Sequence, residues 1–208
     1  MKHLVPPFDY LDSMSWSIAA SGILVGIAAF RLKYNPSTDA FEEENRNVGK
    51  GLGVALGITA FYLFLTGISI SFNWPFSFSG GVYNVLFGGA ASLAGLVLLT
   101  TAIAFYFGRG FQAATYFGFM VGLYLLIDAI AIYSTLNSAA NKLTNDPMKS
   151  TLLYLAPAVV LLYSPIAAHI KSKYARWAFG ILAFLLGIAW LYFAYTTTLS
   201  HLGAFPTT

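Results

Sequence analysis

Long apolar stretches dominate the chain, and short polar segments separate them. Eighteen uncharged residues lie between Asp12 and Arg31, and 58 uncharged residues run from 51 to 108. One membrane-spanning helix needs about 20 apolar residues. The longer run must therefore hold two helices, and turn-forming residues at 73–75 and 80–81 divide it. The pattern predicts a single all-α integral membrane domain over 1–208, with six spans at about 14–32, 50–71, 81–108, 111–135, 150–170 and 175–198.

The composition supports a membrane protein and excludes several other classes. Charged residues make up 9% of the 208 residues, whereas soluble domains hold about a quarter. Hydrophobic residues make up 58% of the chain, which excludes disorder, because disordered segments are poor in apolar residues. The chain has no cysteine. Disulfides, thiolate metal sites, iron–sulfur clusters and thiol nucleophiles are therefore excluded.

The positive charges are divided unevenly between the two sides of the predicted bundle. Eight Lys or Arg residues lie on the side of the loop 33–49, the turn 108–110 and the loop 171–176, and three lie on the other side. Since cytoplasmic loops are enriched in Lys and Arg, we expect the first side in the cytoplasm and both termini outside. We expect Glu42 and Arg46 to form an i,i+4 ion pair at the solvated start of the second helix. No basic stripe indicates a nucleic-acid partner.

Three of the four tryptophans fall near the predicted membrane interfaces. Trp16 and Trp74 fall near the predicted outer interface and Trp177 near the inner one, where amphipathic rings favour the headgroup region. Trp190 lies deeper in its span, and we interpret it as a packing residue.

Small residues recur at four-residue spacing in three predicted helices, as the pairs Gly22/Gly26, Gly53/Gly57 and Gly118/Gly122. The third helix carries a similar stripe from Asn84 to Gly95. Such residues let membrane helices approach closely. Either packing within the bundle or contact between subunits would explain them.

Two prolines interrupt the fifth predicted helix. Pro157 and Pro165 each lack the amide that would bond the carbonyl four residues earlier, so the carbonyls of Leu153 and Leu161 need other partners. The prolines mark either a tolerated kink or a functional feature, namely a hinge or a discontinuous helix that lines a cavity. Both are candidate hinge residues.

Asp128 is the one formally charged side chain that falls well inside a predicted span. An acid within a membrane is a functional candidate by default and should face the bundle interior. Tyr124 lies one turn away on the same helix. Pairing the third and fourth helices about the turn at 108–111 places Asp128 level with Ser92, with Asn84 nearer the outer surface. These four residues form the candidate polar site, where a protonated Asp128 either donates a structural hydrogen bond or binds a proton or cation.

No motif indicates catalysis, a cofactor or a metal site. His3 and His201 lie near the chain ends and His169 near a predicted interface, so no buried histidine pair has haem-ligand spacing. Nucleophile-elbow, zinc-protease, phosphate-loop and dinucleotide motifs are absent. We therefore expect a protein without cofactor that is not an enzyme.

One set of short motifs resembles a known family. Trp74-Pro75 is followed by Tyr83–Gly88, which opens the third helix, and Glu44–Arg46 precedes a glycine-rich second helix. In this combination the chain resembles an uncharacterised family of small multi-spanning membrane proteins of archaea and bacteria, known as a domain of unknown function. The resemblance implies a multi-pass protein of a prokaryotic cytoplasmic (plasma) membrane, and it carries over no activity.

Three functions remain open from the sequence. The first is a structural or interaction subunit, surrounded by membrane lipids, in a homo-oligomer or beside other membrane subunits. The second is an ion channel or proton-coupled small-solute transporter that uses Asp128. The third is a lipid-modifying enzyme. Its only support in the sequence is the pair of interfacial acids Asp9 and Asp12 together with His201.

Overall fold

A computed structural model describes residues 10–75, 84–109, 111–134 and 147–203, without the side chains of 147 and 201–203. Within these ranges six helices are long and apolar enough to cross a membrane. They are α1 (Tyr10–Arg31), α2 (Arg46–Asn73), α3 (Ala90–Phe107), α4 (Gln112–Ser134), α5 (Pro147–His169) and α6 (Lys173–Gly203). The prediction of a six-helix, all-α, multi-pass membrane protein is confirmed.

The helix boundaries differ from the predicted spans mainly at their polar ends. α1 begins at Tyr10 and α2 at Arg46, four residues before each predicted start, and a 3₁₀ turn (Glu43–Asn45) precedes α2. The helices extend beyond their apolar parts because polar residues remain helical where the chain leaves the hydrocarbon. The third span opens with a π-helical segment, Asn84–Gly89, which the sequence did not predict. Residues 81–83 and 135 of the predicted spans lie outside the described residues.

The six helices form a closed ring in chain order. Each helix packs on the next, and α6 returns to pack on α1. Three contacts are more extensive than the others: α1 with α6, α2 with α3, and α4 with α5.

The small-residue pairs lie in these three contacts. A Cβ added at Gly22 would lie 2.8 Å from the Gly187 Cα, and one added at Gly53 would lie 2.7 Å from the Ala102 carbonyl oxygen. One added at Gly122 would lie 3.1 Å from the Leu162 amide nitrogen. The first two distances are shorter than real Cβ contacts, and the third is tighter than most of them. The predicted small faces therefore pack helices within the bundle, which is the first of the two interpretations.

A short β-hairpin occupies the connection between α1 and α2. Its strands are β1 (Tyr34–Asn35) and β2 (Ala40–Phe41), with Tyr34 opposite Phe41. The amide of Phe41 donates to the Gly108 carbonyl at 3.3 Å, which ties the hairpin to the α3–α4 turn. We call this side of the ring the hairpin end and the other side the opposite end. The sequence indicated only a loop here, because two-residue strands carry no periodic signal.

The base of the hairpin holds an ion pair that differs from the predicted one. Among the described residues, Glu42 pairs with Lys33, at 3.8 Å between Oε2 and Nζ, and the expected Glu42–Arg46 pair is wrong. The hairpin turns the chain back on itself, so the end of α1 comes beside the start of α2. The side chain of Arg46 instead packs beside Gly108.

Candidate functional site

The helix ring encloses a cavity along its axis. Its volume is about 180 Å³, and residues of all six helices line it. Met14 and Trp190 line it towards the opposite end, whereas Tyr34 and Phe41 line it at the hairpin end. An apolar protein cavity of about 150 Å³ can stay dry and bind benzene. The ring therefore has room for one small molecule.

The cavity wall is almost entirely apolar. Its Ser and Thr side chains donate hydrogen bonds of 2.7–2.9 Å to the protein itself, and they are Ser21, Thr101, Thr115 and Ser164. Ser21 is the donor in its bond with Thr59, because the Thr59 hydroxyl donates to the Leu56 carbonyl. These hydroxyl protons are therefore engaged, and little of the wall can solvate a charge.

Arg176 is the charged side chain among the residues that line the cavity. It lies at the hairpin end, where its Nη1 donates to the Tyr34 carbonyl at 2.7 Å. Its contact is thus with the hairpin backbone, and it forms no ion pair within the described part of the chain.

An aromatic cluster closes the hairpin end of the cavity. Tyr34 and Phe41 of the hairpin pack with Phe105 of α3 and Phe111, and we call these four residues the aromatic plug. Ring centroids lie 4.6 Å apart for Tyr34 and Phe111 and 5.5 Å apart for Phe41 and Phe105. Tyr34, Phe41 and Phe105 are each at most 6% exposed. The cavity is therefore sealed at this end by packed rings.

Hydrogen bonds hold the hairpin over the ring. Gln112 Nε2 donates to the Pro36 carbonyl at 3.0 Å, and the Tyr34 hydroxyl donates to the Asp39 carboxylate. Burial, followed by this bond to Asp39, raises the pKa of Tyr34 above its ordinary value of 10.0. The hydroxyl therefore keeps its proton and its donor role throughout the physiological range.

A second ion pair at the hairpin base, between Lys33 and Glu44, is equally insensitive to physiological pH. Its hydrogen bond and charge attraction hold the pKa of Glu44 below 4.5 and that of Lys33 above 10.5. Its stabilisation is fully present between these ordinary values. It is lost only as the pH falls through the lowered pKa of Glu44 or rises through the raised pKa of Lys33.

The structure brings Asp128 and Tyr124 together but places neither on the cavity wall. Their side chains interact along α4. The Tyr124 hydroxyl packs against the π-helical segment, where a Cβ on Gly89 would lie 2.9 Å from it. Within the described part of the chain, the buried Oδ2 of Asp128 has no hydrogen-bond partner. Asp128 thus lies beside the α3–α4 contact and outside the central cavity.

Ser92 and Asn84, the other two candidates, are not brought to Asp128. The Ser92 hydroxyl donates to the Gly88 carbonyl at 2.7 Å. Its Oγ lies against α2, 2.7 Å from where a Cβ on Gly67 would be. Asn84 is completely buried in the π-helical segment. The small face of the third span packs on α2, so it turns away from α4.

The two prolines have different positions. α5 is one continuous helix across both. Pro157 lines the cavity, whereas Pro165 is absent from its wall. Ser164 donates to the Leu161 carbonyl at 2.7 Å, which replaces the amide that Pro165 lacks. The Leu161 carbonyl therefore accepts its hydrogen bond from a neighbouring hydroxyl.

The structure shows no site formed by Asp9, Asp12 and His201, the residues considered for a lipid-modifying enzyme. Asp12 accepts a hydrogen bond of 2.5 Å from Thr198. Asp9 and the side chain of His201 lie outside the described residues. Across the described ranges, no group of three His, Asp or Glu residues comes together that could hold a metal ion.

Two features of the cavity were not predicted from the sequence: Trp190, interpreted as a packing residue, lines the cavity wall, and the aromatic plug closes one end. Trp190 is the tryptophan that lies away from the predicted interfaces, and this position was the available signal for it. No comparable signal marked Tyr34 and Phe41, because their role depends on how the hairpin folds back over the ring.

Comparison with known proteins identifies the family. One family model, described as a protein of unknown function (DUF981), matches residues 7–204. The chain belongs to the DUF981 family. The resemblance to an uncharacterised membrane-protein family is thereby confirmed. No curated protein matches this DUF981 chain.

Two solved structures share its fold. The first is the Helicobacter pylori urea channel in a closed state, with a TM-score of 0.65 and 17% sequence identity. The second is a crystal structure of the urea channel from the same organism, with a TM-score of 0.62 and 18% identity. In both cases the alignment covers 92% of this chain and 98% of the other. The shared feature is the fold of the whole helix ring.

Proposed function

We propose that this DUF981 protein is a channel through which a small uncharged solute crosses the membrane along the axis of the helix ring. The observation that carries the proposal is the apolar cavity of about 180 Å³ on that axis, lined by all six helices. The fold that the chain shares with the H. pylori urea channel supports it. The aromatic plug makes the described conformation a closed one.

The cavity wall favours neutral solutes over ions. An ion that leaves water must be paired or coordinated, since burying a bare charge costs far more than a hydrogen bond can return. Among the described residues that line the cavity, the charged side chain is Arg176, which is bonded to the hairpin. Narrow apolar constrictions also block ions, because water leaves such constrictions and an ion cannot cross them without it. This pathway does not use Asp128.

The surroundings of the channel follow from its surface and its charge pattern. Large apolar side chains such as Ile58, Ile127 and Leu185 are 58–68% exposed, which supports contact with membrane lipids. We place the protein in the plasma membrane of a prokaryote with the hairpin end in the cytoplasm, as the Lys and Arg distribution indicates. We further propose that it forms homo-oligomers and acts without catalysis, cofactor or bound metal.

The proposal is tested by solute flux into liposomes that contain the purified protein. Stopped-flow light scattering should show uptake of small neutral solutes such as acetamide or ethylene glycol several-fold faster than in protein-free liposomes. Potassium flux should stay at the protein-free rate.

A matched pair of variants shows whether the solute uses the cavity. Ala94→Phe places a ring inside the cavity and should return the flux to the protein-free rate. Ala131→Phe makes the same change on the exposed face of α4 and should leave it unchanged. Wild-type flux equal to that of protein-free liposomes, or unchanged flux in Ala94→Phe, would contradict the proposal.

A further inference from the structure

We infer that the half of the cavity nearer the opposite end holds a binding site for a small neutral amide. In this site the indole N–H of Trp190 donates to the amide carbonyl, and the Leu153 carbonyl accepts from the amide NH₂ group. This inference rests on the proposed function, because it names the solute class that the channel would select.

Trp190 supplies the donor. Its side chain is 8% exposed and lines the cavity. Within the described part of the chain, its Nε1 is buried and has no hydrogen-bond partner. Buried N–H groups are nearly always bonded, because leaving one without a partner is costly. An unpaired donor on the wall of a cavity is therefore explained by a solute that accepts its hydrogen bond.

Leu153 supplies the acceptor. Pro157 has no amide hydrogen, so the Leu153 carbonyl lacks the donor that an α-helix normally gives it. In a helix this carbonyl points along the face that joins residues four apart. Leu153 and Pro157 both line the cavity. The face of α5 on which this helical hydrogen bond is missing is therefore the face that lines the cavity.

The donor and the acceptor lie at the same depth on adjoining helices. Leu153 is 16 residues before the end of α5, and Trp190 is 17 residues after the start of α6. At 1.5 Å per residue, both are about 25 Å from the turn that joins these two helices. α5 and α6 pack against each other in the ring. A small molecule between them can therefore meet both groups.

An amide fits this pair better than other small solutes. Its acceptor is a carbonyl oxygen and its donor is the NH₂ group beside it, so two separate atoms serve the two wall groups. A carboxylate or an ammonium ion would enter an apolar wall without a counter-charge at this depth. A hydrocarbon would leave both wall groups without partners. An alcohol must serve both fixed wall groups from one rotating hydroxyl or, as in ethylene glycol, from two hydroxyls joined by a rotating C–C bond, so it loses more conformational freedom than the planar amide does.

The test compares acetamide with ethylene glycol in the liposome flux assay. Wild-type protein should conduct acetamide faster than ethylene glycol. Trp190→Phe keeps an aromatic ring but removes the N–H, and should slow acetamide about five-fold, as expected for one neutral hydrogen bond. Pro157→Ala gives the Leu153 carbonyl its helical donor again and should also lower the preference for acetamide. Ethylene glycol flux should change less than acetamide flux in both variants.

The control is Trp177→Phe, the same substitution at an exposed tryptophan that does not line the cavity. It should leave both fluxes unchanged. Equal acetamide flux in wild type, Trp190→Phe and Pro157→Ala would overturn the amide site while leaving the channel intact. Equal slowing of both solutes would overturn the amide selectivity. Absence of any solute flux in wild type would instead overturn the proposed function.

Discussion

Asp128 is the residue to which sequence reasoning gave the most weight, and its place in the fold changes its expected role. It lies beside Tyr124 on α4, and the Tyr124 hydroxyl packs on Gly89. Adjacent residues on a helix differ by about 100° in direction, so small differences in helix rotation decide which side chains face the axis. Leu125 lines the cavity, and Asp128, three residues later, does not.

This placement gives a prediction for Asp128→Asn. The substitution removes the carboxyl and keeps its shape, and it leaves the cavity wall unaltered. We therefore expect neutral-solute flux in liposomes to match that of wild type, with no dependence on a proton gradient in either protein. Ala94→Phe serves as the comparison in which flux is lost. Loss of flux in Asp128→Asn would favour the proton-coupled transporter instead.

At the scale of the element, α5 shows how a helix keeps its form across two prolines. Ser164 supplies the hydrogen bond that the Leu161 carbonyl loses to Pro165. The adjacent hydroxyl donates in place of the missing amide, and the helix remains continuous. A helix with this local repair needs no hinge at Pro165. The sequence predicted the missing bond but could not show which group would replace it.

A double-mutant cycle measures this repair. Ser164→Ala should lower the free energy of unfolding by about 1 kcal/mol, because it leaves a buried carbonyl without a donor. In a Pro165→Ala background the amide returns, and Ser164→Ala should then have little effect. Equilibrium unfolding in detergent provides the measurement. Equal losses of stability in both backgrounds would show that the Ser164 hydroxyl acts elsewhere.

The hairpin between α1 and α2 is the second element whose role depends on its neighbours. Its bonds to Arg176, Gln112 and Gly108 bring Tyr34 and Phe41 over the end of the cavity. Two short strands are marginal by themselves. Contacts with the rest of the ring therefore decide whether the aromatic plug is closed.

Removal of the two hairpin rings should open the channel. We expect the double variant Tyr34→Ala/Phe41→Ala to conduct neutral solutes several-fold faster than wild type in liposomes, because it deletes half of the aromatic plug. Phe107→Ala, at an aromatic residue that is 67% exposed near the same end, is the control and should not change the flux. Unchanged or slower flux in the double variant, with the protein still folded, would show that the plug does not limit conduction.

At the scale of the whole molecule, ring closure creates the cavity. Three closely packed helix pairs, α1–α6, α2–α3 and α4–α5, stand around one axis. Glycines such as Gly22 and Gly53 let the backbones of a pair approach, so contact is concentrated within pairs and the centre stays open. Outward side chains such as Ile58 and Ile127 remain exposed, as lipid contact requires. A passage through the bundle is thus a property of the complete ring.

The sequence by itself determined the membrane class, the six spans, the small faces that pack helices and the two carbonyls left without amides. These features depend on hydropathy, residue size and covalent structure, which are local properties of the chain. Only the tertiary structure decided that α6 closes on α1, that Trp190 and Pro157 face the axis while Asp128 does not, and that the hairpin covers one end. Those outcomes depend on the rotation of each helix and on contacts between distant segments, and no local pattern of residues specifies them.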